Sequence, residues 1–364
     1  MTNIEFNDYP KFFEYIRNKK VLVVSDPNTN PFILNFKENL EKNAKLVKYV
    51  LLNDKNLVPD MAAILEIEKE IDSIDYVLGV GSGSINDLCK YVAKRNNIES
   101  GIYGTAPSMD GYLSKGAGIM VDGFKITYPV NVPHDCLVDS KVISNAPKIL
   151  IASGFGDILG KYTCLTDWKL SNILNGEEIN IEAYNMMKNA LDDTINHYMD
   201  ISKYDYNGVS ILMNALLVAG TSMAICGNSR PASGSEHHQS HYIEMYFVKI
   251  KKPIPSHGLK VALGTLVSIE LYNHLKETDF YKNNPKREEL KELIDNLPKV
   301  EDVLSMLKLV GGYTKFRELG ISKELFIETV YNAYTTRDRY TILTLYHENN
   351  LYDEIIDTLV DKYY

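Results

Sequence analysis

Three histidines in one stretch of the sequence have the spacing of ligands to a single metal ion. His237 and His241 are four residues apart and share one face of a helix, whereas His238 points to a different side. His257 follows Ser256, a favoured helix N-cap residue, and an apolar run comes after it. Because a ligand at a helix start is held stiffly, imidazoles from this stretch can converge on one ion.

A carboxylate is needed to complete such a site, since a catalytic metal usually has three protein ligands and one open position. Asp157 is the best candidate, with Gly156 before it and Gly160 shortly after it. Glycine lets the backbone come close to whatever the carboxylate binds. A single histidine is more often a surface or core residue than a ligand. The prediction of a metal site therefore depends on the whole set.

A glycine-rich turn lies at Gly79, Gly81 and Gly83, between an apolar run from Tyr76 and a predicted helix over 85–95. Backbone amides exposed at the N-terminus of a helix are a ready site for a pyrophosphate. The spacing differs from the G-x-G-x-x-G pattern of dinucleotide-binding folds. The residues alone leave two alternatives, a pyrophosphate site and a tight strand-to-helix turn without a ligand.

Three motifs resemble those of the glycerol-1-phosphate dehydrogenases, which belong to the superfamily of iron-containing alcohol dehydrogenases, glycerol dehydrogenases and dehydroquinate synthases. The motifs are Gly-Phe-Gly-Asp-x-x-Gly-Lys at 154–161, Arg-Pro-Ala-Ser-Gly-Ser-Glu-His at 230–237 and Ser-His-Gly-x-Lys-Val at 256–261. The resemblance runs from about residue 20 to about residue 345, with the motifs in the order of the family. It supplies most of the support for the metal and cofactor sites.

The resemblance implies a dehydrogenase that interconverts sn-glycerol 1-phosphate and dihydroxyacetone phosphate with NAD(P) and one divalent metal. The implied metal ligands are Asp157, His237 and His257. Asp157, His241 and Asp110 match the catalytic and substrate-contacting positions. The implied cofactor-binding residues are Asp26, Gly81, Gly83, Ser84, Ile85, Asn86, Asp87, Thr105, Ala106, Pro107, Ser108 and Ser114.

Some of these assignments have a structural alternative. Asp26 could instead close a turn by binding the amide of Asn28, and Pro107 and Gly111 could simply shape a loop after a strand. If Asp26 accepts from the ribose 2′-hydroxyl, it repels a 2′-phosphate, which predicts a preference for NAD and weaker use of NADP. His241, with its ring on the metal-facing side, is a candidate proton carrier or hydrogen-bond donor.

A phosphorylated substrate requires a local cation, because the chain carries a formal net charge of −9. Arg230 lies just ahead of the predicted metal-binding helix, and a guanidinium binds phosphate oxygens in a bidentate manner. Lys161 and Lys260 are further candidates for this role. A dehydrogenase for unphosphorylated glycerol, which needs only hydroxyl contacts, is the alternative function.

Other classes fit less well. The segment His237 to His241 has the outer spacing of the H-E-x-x-H metallohydrolase motif, with Glu244 available as a third ligand, but His238 stands where the catalytic glutamate should be. A lyase of the dehydroquinate synthase type needs further basic residues near the motifs, and we find no such cluster. A non-catalytic scaffold would not explain the glycine turn, the aspartate and the histidines together.

A ligand set of two imidazoles and one carboxylate does not identify the metal, because zinc, iron and nickel all bind such ligands. The resembled family is known with zinc and, in its bacterial branch, with nickel. We therefore expect zinc first, then nickel, then iron.

The composition is that of an ordinary globular protein, with 45% hydrophobic and 24% charged residues in a chain of 364. The net negative charge disfavours binding to nucleic acid or anionic lipid. The four cysteines form no Cys-x-x-Cys pair, and the N-terminus lacks the features of a signal peptide. We expect a cytoplasmic homodimer or larger homo-oligomer, without membrane insertion, whose partner is a small phosphorylated substrate.

The elements that must position these residues alternate between strands and helices at first and are helical afterwards. This pattern predicts an α/β fold followed by an all-α part. We expect strands at 20–26, 45–52, 76–81 and 101–104, and short β runs over 119–143 broken by Gly123 and two prolines. His134, in the last of these segments, is interpreted as structural. The expected helices are 32–43, 59–71, 85–95, 156–173, 179–202, 207–225, 234–249, 257–276, 286–293, 300–309, 322–333 and 339–348.

Two domains follow from this pattern. Residues 1–150 are expected to form a Rossmann-like, parallel-sheet, dinucleotide-binding domain, and residues 151–364 a helical-bundle domain that binds metal and substrate. The cofactor turn lies in the first and the metal ligands lie in the second. The active site is therefore expected in the cleft between the two domains.

Overall fold

Apolar, β-branched runs form the strands of the first part of the chain, as expected for a parallel sheet covered on both faces. A computed structural model describes residues 2–55, 57–121 and 124–364. The strands are β1 (Asn3–Phe6), β2 (Lys20–Ser25), β3 (Leu46–Leu51), β4 (Tyr76–Gly81), β5 (Glu99–Gly104), β6 (Gly116–Val121), β7 (Phe124–Pro129) and β8 (Asp135–Val138).

Six of these strands form one sheet in the order β1-β8-β5-β4-β2-β3, and every neighbouring pair is parallel. In its centre, Val23 of β2 lies between Tyr49 of β3 and Leu78 of β4. Val23 and Leu78 are fully buried, and a hydrophobic core lies on each side of the sheet. Strands β6 and β7 form a separate antiparallel pair. Because β2, β4 and β5 are parallel, their carboxyl ends lie at the same edge of the sheet, which is where parallel sheets bind ligands.

Helices cover the sheet and form the second part of the chain. Several have local caps: Asp60 accepts from the amide of Ala63 at the start of α3, and Asn180 from that of Ala183 at the start of α8. The helices are α1 (Pro10–Tyr15), α2 (Lys37–Asn43), α3 (Met61–Glu68), α4 (Gly83–Arg95), α5 (Ser140–Ser144), α6 (Lys148–Leu159), α7 (Lys161–Asn175), α8 (Ile181–Asn196), α9 (Tyr198–Ser202), α10 (Tyr206–Cys226), α11 (Ser235–Lys249), α12 (His257–Leu275), α13 (Asp279–Asn283), α14 (Arg287–Asp295), α15 (Val300–Val310), α16 (Lys323–Asn332), α17 (Ile342–Glu348) and α18 (Ile356–Tyr363), with short 3-10 helices at Asn30–Asn35, Phe316–Leu319, Ala333–Thr336 and Tyr352–Glu354.

The predicted fold class, a parallel-sheet α/β part followed by a helical part, is confirmed, but some elements differ from the prediction. Strand β1 is not predicted, because its four residues, Asn-Ile-Glu-Phe, contain no apolar run. The predicted helix 156–173 is two helices, α6 and α7, divided at Gly160, and α6 already begins at Lys148. The predicted helix 179–202 is two helices, α8 and α9, divided at His197. Helices α13 and α18 are not predicted, and Gly123 lies outside the described residues.

A domain boundary near residue 150 stays a prediction. The strands of the described ranges all lie before residue 139, and helices alone follow. Residue 150 itself lies within α6. A division between α5 and α6 would therefore cut no helix.

Helix α10 has the length and composition of a membrane span, with a mean hydropathy of 1.9 over its most apolar window. Half of that window is buried inside the protein, where α10 packs against α5, α6 and α8. Because the core helix of a globular protein has the same properties, α10 is weak evidence for a membrane protein.

One buried carboxylate, Asp167 of α7, joins three other helices. It accepts hydrogen bonds from the amide of Ser235 at the start of α11 (2.7 Å), the hydroxyl of Tyr272 in α12 (2.7 Å) and the amide of Ile342 at the start of α17 (2.8 Å). Burial, and then the nearby Glu236, raise the pKa of Asp167 to about 6. This carboxylate fixes the position from which α11 begins.

Replacing Asp167 with Ala should lower the free energy of unfolding by about 3 kcal/mol or more, because three buried donors lose their acceptor at about 1–3 kcal/mol each. Urea denaturation measures the loss. The matched control is Asp295→Ala, which removes an exposed carboxylate paired with Lys276 and Lys291 and should change the free energy of unfolding much less, because exposed ion pairs contribute little. Similar losses in the two variants would contradict the role given to Asp167.

Candidate active site

Asp157, His237 and His257 come together although they lie on three helices, α6, α11 and α12. One ligand atom from each lies within 4.8 Å of the other two. Asp157 and His237 are buried, and His257 is partly exposed at the first position of α12. Nε2 of His237 lies 3.5 Å from Oδ1 of Asp157, and the two imidazole ring centres are 5.3 Å apart. This arrangement can hold one metal ion and leave a face open towards solvent.

Each metal-facing histidine has a carboxylate behind it. Nδ1 of His237 donates to Glu236 over 2.7 Å, and Nδ1 of His257 donates to Glu244 over 3.0 Å. A proton fixed on Nδ1 leaves the Nε2 lone pair for a metal. Burial lowers the pKa of His237, but the hydrogen bonds with Asp157 and Glu236 outweigh burial and raise it to about 9. The excess of carboxylates favours a cation at this point.

Lys161, one helical turn after Asp157, is fully buried between two carboxylates. Its Nζ lies 3.0 Å from Oδ1 of Asp157, 2.6 Å from Oδ2 of Asp110 and 2.8 Å from the carbonyl oxygen of Ala232. Burial raises the pKa of Asp157, but Lys161 and the neighbouring histidines hold it well below its usual range. Lys161 therefore keeps Asp157 ionised and links it to Asp110. Its ammonium is occupied by these partners, which is unfavourable for the phosphate-binding role considered from the sequence.

His241 lies beside the cluster, with its ring centre 6.1 Å from that of His237 and 5.8 Å from that of His257. Its Nδ1 is 3.3 Å from Glu244, and Arg337 donates to its Nε2 over 3.2 Å. Burial is the main cause that lowers the pKa of His241 to about 3, although Glu244 opposes it. His241 is thus a neutral imidazole whose Nε2 accepts a hydrogen bond.

His238 points away from the cluster, as the helical spacing predicts. It is completely buried, and burial lowers its pKa to about 2. Glu244, the third ligand in the metallohydrolase alternative, instead binds His241, His257 and Lys260 on the outer side of the cluster. Both observations disfavour that alternative.

The glycines near Asp157 are required by packing. A Cβ on Gly154 would lie 1.9 Å from the carbonyl oxygen of Pro107, and one on Gly156 would lie 2.6 Å from that of Gly258 in α12. Glycine at these positions lets α6 contact both the 105–114 loop and α12. The glycines of the motif therefore allow α6, the helix that carries Asp157, to pack against the loop that follows β5.

The glycine turn connects β4 to α4 at the edge of the sheet, and Gly104, the end of β5, lies beside Gly81. Asn86 donates to the carbonyl of Tyr112 in the next loop over 3.0 Å, and Asp87 accepts from the amide of Gly118 in β6 over 2.9 Å. These two side chains hold the loop and the start of β6 against α4. Of the other predicted cofactor residues, Gly83, Ser84 and Ile85 start α4, and Thr105, Ala106, Pro107, Ser108 and Ser114 belong to the 105–114 loop.

Asp26 follows β2, next to the glycine turn, since Ser25 pairs with Val80 of β4. Its Oδ1 accepts from the amides of Asn28 (2.8 Å) and Thr29 (2.9 Å). The turn-closing role considered from the sequence is therefore present. A contact to a ribose stays a prediction.

Two neighbouring cavities open on the cluster. One, of about 290 Å³, is lined by His237, His241 and His257 together with Asp110, Ser229, Ser233 and Arg337. The other, of about 640 Å³, is lined by Asp87, Met109, Ser114, His241, Glu244, Met245, Val248 and Arg337, among others. Gly111, Ser114, His241 and Arg337 border both cavities. The volumes suit a small substrate next to a larger ligand.

Arg230 does not border either cavity as the structure describes them. It is buried, with Nε 2.7 Å from Oε1 of Glu177, Nη2 paired with Oε2 of the same residue, and Nη1 2.9 Å from the carbonyl oxygen of Tyr340. This argues against the phosphate-binding role predicted for Arg230. Arg337, which the sequence reasoning misses, reaches the site instead. The polar run Thr-Thr-Arg-Asp-Arg between two predicted helices is the only signal for it in the sequence.

Glu236→Gln and Glu244→Gln should each weaken metal binding about 10–100-fold, because the carboxylates hold the two imidazoles in the metal-binding tautomer. Asp157→Ala should remove the metal almost completely. Metal content after dialysis against a graded chelator measures this, and circular dichroism checks that the helices remain.

The matched control is Glu328→Gln, since this exposed carboxylate on α16 binds only Tyr242 among the described hydrogen bonds. It should leave metal content unchanged. Full metal retention in the Asp157→Ala variant would contradict the ligand assignment.

Comparison with known proteins agrees with this geometry. The family described as iron-containing alcohol dehydrogenase matches residues 3–147. The glycerol-1-phosphate dehydrogenase [NAD(P)+] of Bacillus velezensis is 36% identical over 280 residues, 76% of this chain and 71% of that protein. The protein of the same name from Bacillus subtilis is 33% identical over 339 residues, 91% of this chain and 86% of that protein.

Among solved structures, a probable glycerol dehydrogenase from Sinorhizobium meliloti superposes with a TM-score of 0.68, covering 100% of this chain and 98% of that one. Its sequence identity of 17% supports the fold alone. The two Bacillus proteins are each more than 30% identical to this chain, and the matched segments cover most of this chain and most of each of those proteins. On this basis the chain belongs to the glycerol-1-phosphate dehydrogenase family, within the superfamily of iron-containing alcohol dehydrogenases.

Proposed function

We propose that this chain is a metal-dependent, NAD(P)-linked dehydrogenase that interconverts sn-glycerol 1-phosphate and dihydroxyacetone phosphate. The observation that carries the proposal is the position of the cluster Asp157, His237 and His257. The cluster faces a small cavity, and the loop after β5 reaches the same place from the sheet. The names of the relatives point to the same reaction.

The three side chains suit a divalent ion, because two imidazoles with Nδ1 engaged offer two Nε2 lone pairs and Asp157 offers an ionised carboxylate. Zinc is proposed first, then nickel and iron, since all three accept this donor set. When bound, the ion supplies Lewis-acid polarisation of the substrate C2 oxygen, and the nicotinamide takes or supplies the hydride.

The protein's own residues position the substrate and move the proton. His241 borders both cavities beside the cluster, so it is the residue proposed to exchange the hydroxyl proton with the substrate. Lys161 fixes Asp110 next to Asp157, so that Asp110 faces the substrate cavity in one position. Loop 105–114 and α11 contribute residues to the walls of both cavities beside this reaction centre.

The cofactor is proposed to lie along the edge of the sheet, with its pyrophosphate at the start of α4 and its nicotinamide in the larger cavity. Met109, Met245 and Val248 give that cavity an apolar wall suited to a planar ring. NAD is proposed as the preferred form because Asp26 ends the strand next to the glycine turn. A cytoplasmic location and a homodimeric or larger assembly belong to the same proposal.

Asp26→Ser should lower the ratio of kcat/KM for NAD to kcat/KM for NADP by about tenfold or more, because removing the carboxylate relieves repulsion of a 2′-phosphate. Steady-state kinetics with both cofactors measures the ratio. Asp72→Ser, an exposed position before β4, is the control and should leave the ratio unchanged. An unchanged ratio in the Asp26 variant would assign Asp26 to the turn alone.

The reaction itself is tested by NADH oxidation with the metal-loaded protein. Dihydroxyacetone phosphate should be reduced with a kcat/KM at least about 100-fold higher than dihydroxyacetone, since charged hydrogen bonds to the phosphate contribute about 1.5–3 kcal/mol each. Chelation should abolish both activities. Equal or better activity with dihydroxyacetone would favour the alternative, a glycerol dehydrogenase.

A further inference from the structure

Three guanidinium groups converge on one loop beside the metal cluster. Arg230 belongs to residues 228–233, which lead into α11, and Arg337 and Arg339 bind the same loop from the segment before α17. Arg230 is paired with Glu177. Arg337 and Arg339 both donate to Oγ of Ser229, over 2.9 and 3.0 Å, and Arg339 also donates to the carbonyl oxygen of Ser233 over 2.6 Å.

Arg337 and Arg339 have no carboxylate partner within salt-bridge distance in the part of the chain that the structure describes. Burial is the main cause that lowers the pKa of Arg339 to about 10, and the charges of Arg230 and Arg337 add to it. Like charges at such short range cost free energy unless an anion compensates them. In a chain with a net charge of −9, this is a local excess of positive charge.

The wall of the smaller cavity offers further donors beside Arg337. Ser229 and Ser233 both line it. Ser233 is only 5% exposed, and its hydroxyl has no hydrogen-bond partner among the described residues. A buried hydroxyl without a partner is destabilising, so its presence points to a polar ligand.

The distance from the metal cluster suits a short substrate. His241 lies between the metal cluster and Arg337. Arg337 donates to Nε2 of His241 over 3.2 Å, and the ring centre of His241 is 6.1 Å from that of His237 and 5.8 Å from that of His257. A ligand with a three-carbon backbone spans such a gap. Its oxygen at one end would meet the cluster, and an anionic group at the other end would meet Arg337.

We propose that Arg337, Ser229 and Ser233 form the subsite that binds the phosphate of the substrate, and that Arg339 positions Ser229 and the loop around Ser233. The inference rests on the proposed function and names its specificity-determining residue. Arg337 offers two donor nitrogens in a fixed plane, which matches phosphate oxygens. Arg230 anchors the loop of residues 228–233 through its ion pair with Glu177.

The phosphates of the cofactor are the other candidate for this cation, because Arg337 also borders the larger cavity. Ser229 and Ser233 line only the smaller one in the described residues. Arg337, Ser229 and Ser233 therefore meet at the smaller cavity, and of these three only Arg337 reaches the larger one. The substrate phosphate is the occupant that uses all of them.

The test compares Arg337→Met, Arg337→Lys and Ser233→Ala in the metal-loaded enzyme, with Arg317→Met as the control on an exposed arginine. In Arg337→Met, the KM for dihydroxyacetone phosphate should rise about 30-fold or more, as expected for loss of charged hydrogen bonds. The ratio of kcat/KM for dihydroxyacetone phosphate to that for dihydroxyacetone should fall by a similar factor, whereas the Arg317→Met control should leave this ratio and the KM for NADH within about threefold of the wild type. Arg337→Lys should recover part of the loss, and Ser233→Ala should raise the same KM by about fivefold.

Inorganic phosphate provides a readout that does not need turnover. It should raise the Tm of the wild type and of the Arg317→Met control, and this shift should be lost in Arg337→Met. Equal losses on both substrates, or a raised KM for NADH alone, would overturn the inference. If the wild type does not reduce dihydroxyacetone phosphate but the phosphate shift still depends on Arg337, the proposed reaction fails and the anion subsite remains.

Discussion

The buried ion pair between Asp157 and Lys161 is the interaction on which the site depends. An ionised carboxylate without solvent contact is stable only with a charged partner and hydrogen bonds. Lys161 supplies the charge, and the amide of Asp110 donates to the second oxygen of Asp157 over 3.0 Å. The same ammonium binds Asp110 and the carbonyl oxygen of Ala232. One cation thus joins α6, the loop after β5 and the loop before α11.

Close packing of backbone makes this junction rigid. Glycine at 154 allows α6 to approach Pro107, and a Cβ on Gly258 would lie 1.9 Å from the carbonyl oxygen of Ser153. Helices α6 and α12 therefore pack at short distance, with His257 at the first position of α12. Asp167 holds the start of α11 in place from the other side. The three metal-facing side chains are preorganised because each is placed by a helix end or by a buried contact.

Charge is distributed around the cluster in two zones. Carboxylates lie behind the histidines, where Glu236 and Glu244 set the tautomers. One guanidinium group, that of Arg337, lines the small cavity on the far side of His241. A substrate with a hydroxyl at one end and a phosphate at the other matches this order, because a cation at the carboxylate-rich end and an anion at the arginine end are each stabilised.

The sequence by itself determined the parallel sheet, the helical second part and the turn at Gly81 and Gly83, because local periodicity and helix ends depend on residues near one another in the chain. The grouping of Asp157 with His237 and His257 was expected mainly from the motifs of the resembled family, and the tertiary structure brings the three side chains together. Which arginine borders the small cavity could not be predicted in this way. Arg230 is paired with Glu177, which lies 53 positions earlier, whereas Arg337 comes from a loop more than a hundred residues after Ser229. Whether a charged side chain is free or paired depends on which distant carboxylate packs beside it, and only the tertiary structure decides that.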